Sequence, residues 1–384
     1  SLVLDSTEAL PPTLTRIDDF AFLYCTALKL QALPPKLTSI GVYAFGGCTS
    51  LVLEALPPTL TEIKQSAFEG CTALKLQALP PTLTSIGIYA FARCTSLVLD
   101  SSEALPPTLT EIQSSAFEGC TALKLQALPP FLTSIDFKAF GGCTSLVLDS
   151  TEALPPTLTA INPHAFEGCT TLKLRALPPT LTSIEPKAFA WCTSLVLDST
   201  EALPPSLTAI KSNAFEGCMA LKLQALPPTL TSIGTQAFEG CTALVLDSTE
   251  ALPPTLTEIN SSAFEGCMAL KLKALPPTLT SIGKGAFKEC TSLMLDSTEA
   301  LPPSLTSIDD YAFLGCTALK LQALPPNLTS IGYYAFKGCQ SLALSNAVPL
   351  PPKLSVESFA FRGCDYLRKT PFGLAIRELQ PSAF

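Results

Sequence analysis

The cysteines of this chain recur at one fixed place in a repeating frame, A-F-x-x-C, from Ala21-Phe22-Cys25 to Ala360-Phe361-Cys364. Successive cysteines lie 23 or 26 residues apart, with a single step of 25 before Cys364. A further Ala383-Phe384 falls 23 residues beyond Phe361. Self-similarity at a constant period of this length means one supersecondary unit stacked many times, each burying its apolar face against its neighbours. A stacked rod of this kind leaves little room for an enclosed active site.

From Cys71 the short and long steps alternate, giving a 49-residue double repeat of 23 and 26. Residues 146–154, 195–203 and 244–252 are identical, L-V-L-D-S-T-E-A-L, so the pair is the unit of duplication. The expectation is a single continuous solenoid over 1-384, with degenerate repeats in 340–384. Within a turn, L-x-L (Leu123-Lys124-Leu125) alternates in and out and reads as a short parallel strand. The Pro-Pro pair and L-x-x-I carry the chain around a corner, since proline lacks an amide donor. Ala116, Phe117, Cys120 and Leu123 then fall at helical spacing, which predicts one short helical or 3-10 turn per repeat. The fold class is therefore an α/β repeat of about 15–16 turns stacked at the strand-pairing distance of about 4.8 Å.

The turn L-P-x-x-L-x-x-I-x-x-x-A-F-x-x-C, here Leu79-Pro80, Leu83, Ile86, Ala90-Phe91 and Cys94, resembles the BspA-like class of leucine-rich repeats. The resemblance runs along almost the whole chain. Two departures are visible: the L-x-L segment lies closer to the cysteine, and alternate turns carry three extra residues. The resemblance implies a leucine-rich-repeat solenoid that is extracellular or on the cell surface and binds proteins or matrix.

Composition narrows the function classes. Hydrophobic content of 47% with 15% charged residues can line a long core despite 35 prolines. A net charge of −8 disfavours nucleic acid or an anionic membrane as partner. No apolar run approaches the roughly 18–20 residues of a membrane helix. The chain opens and closes inside a repeat, so natural ends are expected outside it and the lack of a leader says nothing of localisation. No C-x-x-C occurs and His164 is the single histidine, which argues against a metal site, a histidine-dependent nucleophile or a cofactor. The cysteines read as a ladder of buried thiols acting as small hydrophobes. His164, in Asn162-Pro163-His164, reads as a solvated loop histidine, and Trp191 as packed on a neighbouring turn.

Four sets of surface residues remain. The middle of L-x-L is lysine in short turns (Lys75, Lys124, Lys173, Lys222, Lys271), and long turns place aspartate two positions on (Asp100, Asp149, Asp198, Asp247, Asp296). This ordered face is the first candidate docking surface, each lysine leaning toward an aspartate one turn away. The alternative is the variable triplet before Ala-Phe, which holds Tyr43, Tyr89, Phe137, Tyr333 and Tyr334; exposed aromatics favour interfaces. A Thr-Leu-Thr ladder (Thr82 and Thr84, Thr108 and Thr110, Thr157 and Thr159) resembles ice-binding faces and gives a remote alternative. Asn260 and Asn327 begin N-x-S/T sequons. The expected function is a non-enzymatic binding or adhesion module for a protein, matrix or glycan ligand. A structural scaffold in a larger assembly is the second reading, and the sequence leaves oligomeric state open.

Overall fold

The computed structural model describes residues 10–101, 103–148, 154–198, 202–247, 251–296, 300–344 and 349–384. It comprises two compact units, Ser1–Leu181 with Lys187–Leu195, and Thr182–Pro186 with Val196–Phe384. The first unit carries β1 (Arg16–Ile17), β2 (Ser39–Ile40), β3 (Glu62–Ile63) and β4 (Ser85–Ile86) in one parallel sheet. A second sheet of that unit holds β5 (Glu111–Ile112), β6 (Ser134–Ile135) and β7 (Ala160–Ile161). The second unit carries β8 (Ser183–Ile184), β9 (Ala209–Ile210) and β10 (Ser232–Ile233) in one sheet. Its other sheet runs through β11 (Glu258–Ile259), β12 (Ser281–Ile282), β13 (Ser307–Ile308), β14 (Ser330–Ile331) and β15 (Ser355–Val356). Every pairing is parallel and in register, isoleucine beside isoleucine except where Ile331 meets Val356.

The strand thus lies at x-I, two residues past the corner, and not at L-x-L as the alternation suggests. The corner itself is a β-turn: the Leu83 amide donates to Pro80 O (3.0 Å) with Pro81 second in the turn, where a fixed φ suits proline. It closes early enough to leave Ser85–Ile86 extended. The L-x-L segments make at most one bond per step, as Leu99 N to Leu76 O (3.0 Å) and Lys124 N to Val98 O (2.8 Å). In long turns the second leucine is left-handed, with φ of 49° at Leu99, 52° at Leu197 and 48° at Leu246. That kink ends the extended run.

Among the described residues, the expected helical turn is also absent from the repeats; a chain of β-turns stands in its place. Glu118 and Cys120 donate to the carbonyls three residues back (both 3.1 Å), whereas Ser115, Phe117 and Gly119 donate to Phe137, Ala139 and Gly141 of the next turn. Ser115 (φ 54°) and Gly119 (φ 70°) are left-handed, which no helix accepts. Spacing alone mimicked a helix because each β-turn advances three to four residues.

Inside, the phenylalanines form stacked columns. In the first unit Phe22 to Phe189 stack with centroids 5.2–5.6 Å apart and planes within 9°. Phe215 to Phe361 repeat this in the second unit. Fourteen of the fifteen cysteines are buried, Cys25 being partly exposed, and none is in a disulfide.

Among the described residues, helix appears only in α1 (Pro371–Leu379), between 3-10 segments Leu367–Lys369 and Pro381–Ala383. Thr370 caps α1 by accepting from Gly373 N (3.1 Å), and Phe372 and Ile376 face inward. The chain then regains the repeat frame: Phe361 N donates to Ala383 O (2.8 Å) and Phe384 stacks on Phe361 at 5.8 Å.

Candidate binding surfaces

The lysine–aspartate row is exposed at Lys75, Lys124, Lys173, Lys222, Lys271, Asp100, Asp198, Asp247 and Asp296; Asp149 lies outside the described residues. These side chains flank the L-x-L segments and not the parallel strands, whose outward residues are mostly serine and glutamate. Among the described residues, no lysine of this row comes within 4.0 Å of an aspartate carboxylate. The turn-to-turn neighbours are as expected, but glutamine takes the contact: Gln126 Nε2 donates to Asp100 O (3.4 Å) and Gln322 Nε2 to Asp296 O (3.5 Å).

The triplet edge is more structured. Its third residue is left-handed turn after turn, including Tyr43 (φ 52°), Tyr89 (57°), His164 (61°) and Tyr334 (56°). Main-chain bonds to the next turn hold it there, as Tyr89 N to Ser114 O (3.1 Å). In the first unit this edge displays Phe20 stacked on Tyr43 (5.8 Å), then Tyr89 and Phe137, which are 38% and 43% exposed. His164 is not simply solvated: its Nδ1 lies 2.8 Å from Glu167 Oε2 and its ring meets Phe137 edge-on. Lys138 pairs with Glu118 at 3.4 Å and Lys187 approaches Glu167 at 4.0 Å. Arg93, Glu118, Lys138 and Glu167 ring an open depression of about 330 Å³ floored by Gly119 and Gly142.

In the second unit, Tyr311, Tyr333, Tyr334 and Phe359 make one aromatic cluster with centroids 4.0–5.9 Å apart. Lys337 Nζ sits 4.6 Å from the Tyr334 ring, and Arg362 donates to Tyr334 Oη at 3.4 Å while lying over Phe359. Hydrogen bonding from Tyr333 and the two cations draws the Tyr334 phenol below its ordinary range. Beside the cluster, Lys284, Asp309, Asp310, Gly332 and Glu357 line a depression of about 360 Å³. Burial, then the Asp310 charge, raises the Asp309 carboxyl. Asp310 Oδ1 accepts from Tyr333 N (2.7 Å), and a Cβ on Gly332 would strike the Asp309–Asp310 backbone as well as that carboxylate, so glycine is needed there.

The sequence reading missed the residue following each Ala-Phe: Glu118, Glu167, Glu216, Glu239, Glu265, Lys337 and Arg362. Its side chain reaches the left-handed residue three positions back, as in Asn213–Glu216 (2.8 Å) and Gln236–Glu239 (2.6 Å). Its variation among repeats, in an otherwise constant frame, was the available signal. Trp191 is 46% exposed and not packed away; it occupies the left-handed place held by glycine in most turns.

The threonine ladder is engaged internally. Thr82 Oγ1 donates to Leu60 O (2.7 Å) and Pro58 O (2.8 Å), and Thr84 Oγ1 to Thr61 O (3.1 Å). Asn260 Nδ2 donates to Ile233 O (2.8 Å) and Asn327 Nδ2 to Pro303 O (2.9 Å). Among the described residues no cluster of three metal-binding side chains occurs, and no helix is long and apolar enough to cross a membrane.

Compared with known families, the chain matches the BspA type leucine rich repeat region over residues 6–124, 99–222, 148–246, 197–297 and 295–384. A leucine-rich repeat protein from Bacteroides ovatus superposes with a TM-score of 0.64 at 25% identity, over 95% of this chain and 85% of its own. A leucine rich cell surface protein from Faecalibacterium prausnitzii is 25% identical over 80% of this chain and 76% of its own, with a TM-score of 0.40. No curated protein sequence matches.

Proposed function

This chain belongs to the BspA type leucine rich repeat family, and on that premise we propose that it is a non-enzymatic protein-binding module acting outside the cell or at its surface. Leucine-rich repeat proteins serve as interaction modules, so the family supports the coarse part of this reading. Adhesion and surface location are the finer part, and family membership alone supports them.

The observation that carries the site is the row of aromatics on the triplet edge of the first unit, Phe20, Tyr89 and Phe137 exposed and Tyr43 half-buried. Their backbones are held by hydrogen bonds to adjacent turns, so docking onto them costs little ordering, and aromatic anchors dominate interface energetics. The lysine row is a uniform lattice of solvated single charges, each worth about 0–1 kcal/mol in an ion pair. It serves solubility and partner choice.

The test is an array of extracellular matrix proteins probed with three chains: wild type, Tyr89→Ser with Phe137→Ser, and Lys75→Ala with Lys124→Ala and Lys173→Ala. A wild-type signal that falls about tenfold or more in the aromatic variant, as loss of an anchor predicts, and persists in the lysine variant supports the edge. The reverse pattern moves the ligand to the lysine row. Antibody labelling of intact against permeabilised cells checks location.

A further inference from the structure

The residues following Ala-Phe in the second unit form one continuous row. The amide of the next residue in each turn donates to the carbonyl of this residue in the following one. The bonds are Gly217 to Glu239, Gly240 to Glu265, Gly266 to Lys288, Glu289 to Leu314, Gly315 to Lys337 and Gly338 to Arg362, all 2.7–2.8 Å. Seven side chains are therefore spaced one turn apart, at about 4.8 Å.

The two outermost residues at one end of the row are acidic and the two at the other end basic. Glu216, Glu239 and Glu265 stand on one side of Lys288, and Leu314, Lys337 and Arg362 on the other. Lys288 is already neutralised by Glu265, with Nζ 2.6 Å from Oε1. The remaining charges have no ionic partner among the described residues. Glu216 accepts only from the Asn213 amide and Glu239 only from the Gln236 amide, while Lys337 and Arg362 lie against Tyr334 and Phe359. Burial, with the charges of Glu265 and Glu216, pushes the Glu239 carboxyl upward against the opposing pull of its Gln236 hydrogen bond and of Lys288.

We propose that this edge is a self-complementary interface through which two copies of the chain associate about a two-fold axis at the Lys288 turn. Antiparallel pairing of the row with itself sets Glu216 opposite Arg362 and Glu239 opposite Lys337, and symmetry makes each pair twice. The spacing matches by construction, because both partners present the same row. The aromatic cluster then faces Asn213, Gln236 and Ser262, giving an apolar anchor against neutral side chains. An edge of seven turns is about 30 Å long; at roughly 15 Å wide it buries on the order of 900 Å² in total, which suits a reversible, salt-sensitive dimer. This inference uses residues 213–362 of the second unit, so it stands or falls separately from the ligand edge of the first.

Sedimentation of the purified chain tests it. At about 50 mM salt the wild type sediments as a monomer–dimer mixture, and at about 500 mM, where charges are screened, as monomer. Glu216→Lys with Glu239→Lys makes both ends of the row basic, and Lys337→Glu with Arg362→Glu makes both ends acidic, the central Glu265–Lys288 pair being kept in each. Each double variant alone is expected to remain monomeric, with an unchanged circular dichroism spectrum confirming its fold. Mixed together, they form a one-to-one heterodimer bearing all four pairs. A wild type that stays monomeric at low salt and about 100 μM, well above the dissociation constants of specific interfaces, overturns the proposal. Dimerisation of either variant alone, or no heterodimer from the folded pair, does so equally.

Discussion

The thiol of Cys120 donates to the carbonyl oxygen of Phe91, one turn back, at 3.0 Å. That same oxygen also accepts the Cys94 amide at 3.1 Å, so both lone pairs are used. The arrangement recurs from Cys48 to Phe22 in the first unit and from Cys241 to Phe215 in the second. It explains the choice of residue: cysteine fills the core as a small hydrophobe and still satisfies a carbonyl that alanine would leave half-bonded.

Burial raises the Cys120 thiol from about 9 to about 12. A group raised on folding contributes stability that is intact below its unfolded value and is lost as pH rises through its folded one. The protein is therefore expected to lose stability progressively from about pH 9 toward pH 12, from many thiols at once. A urea midpoint that stays level over this range would contradict the prediction. Thiol reagents at pH 8 should modify about one residue, Cys25, in the native chain and all fifteen after denaturation.

Phe140 is stacked on both sides, on Phe117 at 5.6 Å and Phe166 at 5.5 Å, and is fully buried. Phe140→Ala should cost about 3–5 kcal/mol, and Phe22→Ala, at a partly exposed place with Phe45 as its stacking partner, about half that. Because repeat stability is a sum of local and neighbour terms, amide protection should fall around residues 117–166 first. Uniform loss throughout the first unit would argue against it.

Ser115 combines two unfavourable features, a left-handed backbone (φ 54°) and a buried hydroxyl without a hydrogen-bond partner. Glycine accepts that conformation and has no hydroxyl, so Ser115→Gly should stabilise by about 1 kcal/mol despite its greater freedom when unfolded. Ser114→Gly, one position earlier, should destabilise by about 0.5–1 kcal/mol. Chemical denaturation of the two variants distinguishes backbone strain from a general tolerance of glycine.

Thr82→Val keeps the shape of the side chain but removes its bonds to Leu60 O and Pro58 O. The expected cost is about 1 kcal/mol, with a smaller loss for Thr84→Val, whose single hydroxyl bond is longer. Two equal and negligible effects would mean that the ladder is not used in joining turns.

Much of the edge was legible in the sequence. Tyr43, Tyr89, Phe137, Tyr333 and Tyr334 stood out because they vary inside a constant frame, and all five lie at least partly exposed on it. Glu239 and Arg362 did not stand out, because their association with the triplet depends on a turn that brings residues three apart together. The expected ion pair between Lys124 and Asp100 failed for a related reason. Their turn-to-turn register was legible, but the orientation of two solvated side chains is decided by competing contacts such as Gln126 on Asp100 O.

By itself the sequence determined the period, the inward leucines, isoleucines, phenylalanines and cysteines, and the proline corner, because burial and φ restriction act residue by residue. Only the tertiary structure decided where the strand lies and what the A-F-x-x-C segment becomes. Ser85–Ile86 is a strand because Ile86 lies beside Ile63 of the preceding turn. Phe117 is in a β-turn and not a helix because its amide donates to Ala139, one turn ahead. Those partners lie a whole repeat away, so a single turn read alone offers only local spacing, and local spacing cannot distinguish a bond made within a turn from one made to the next.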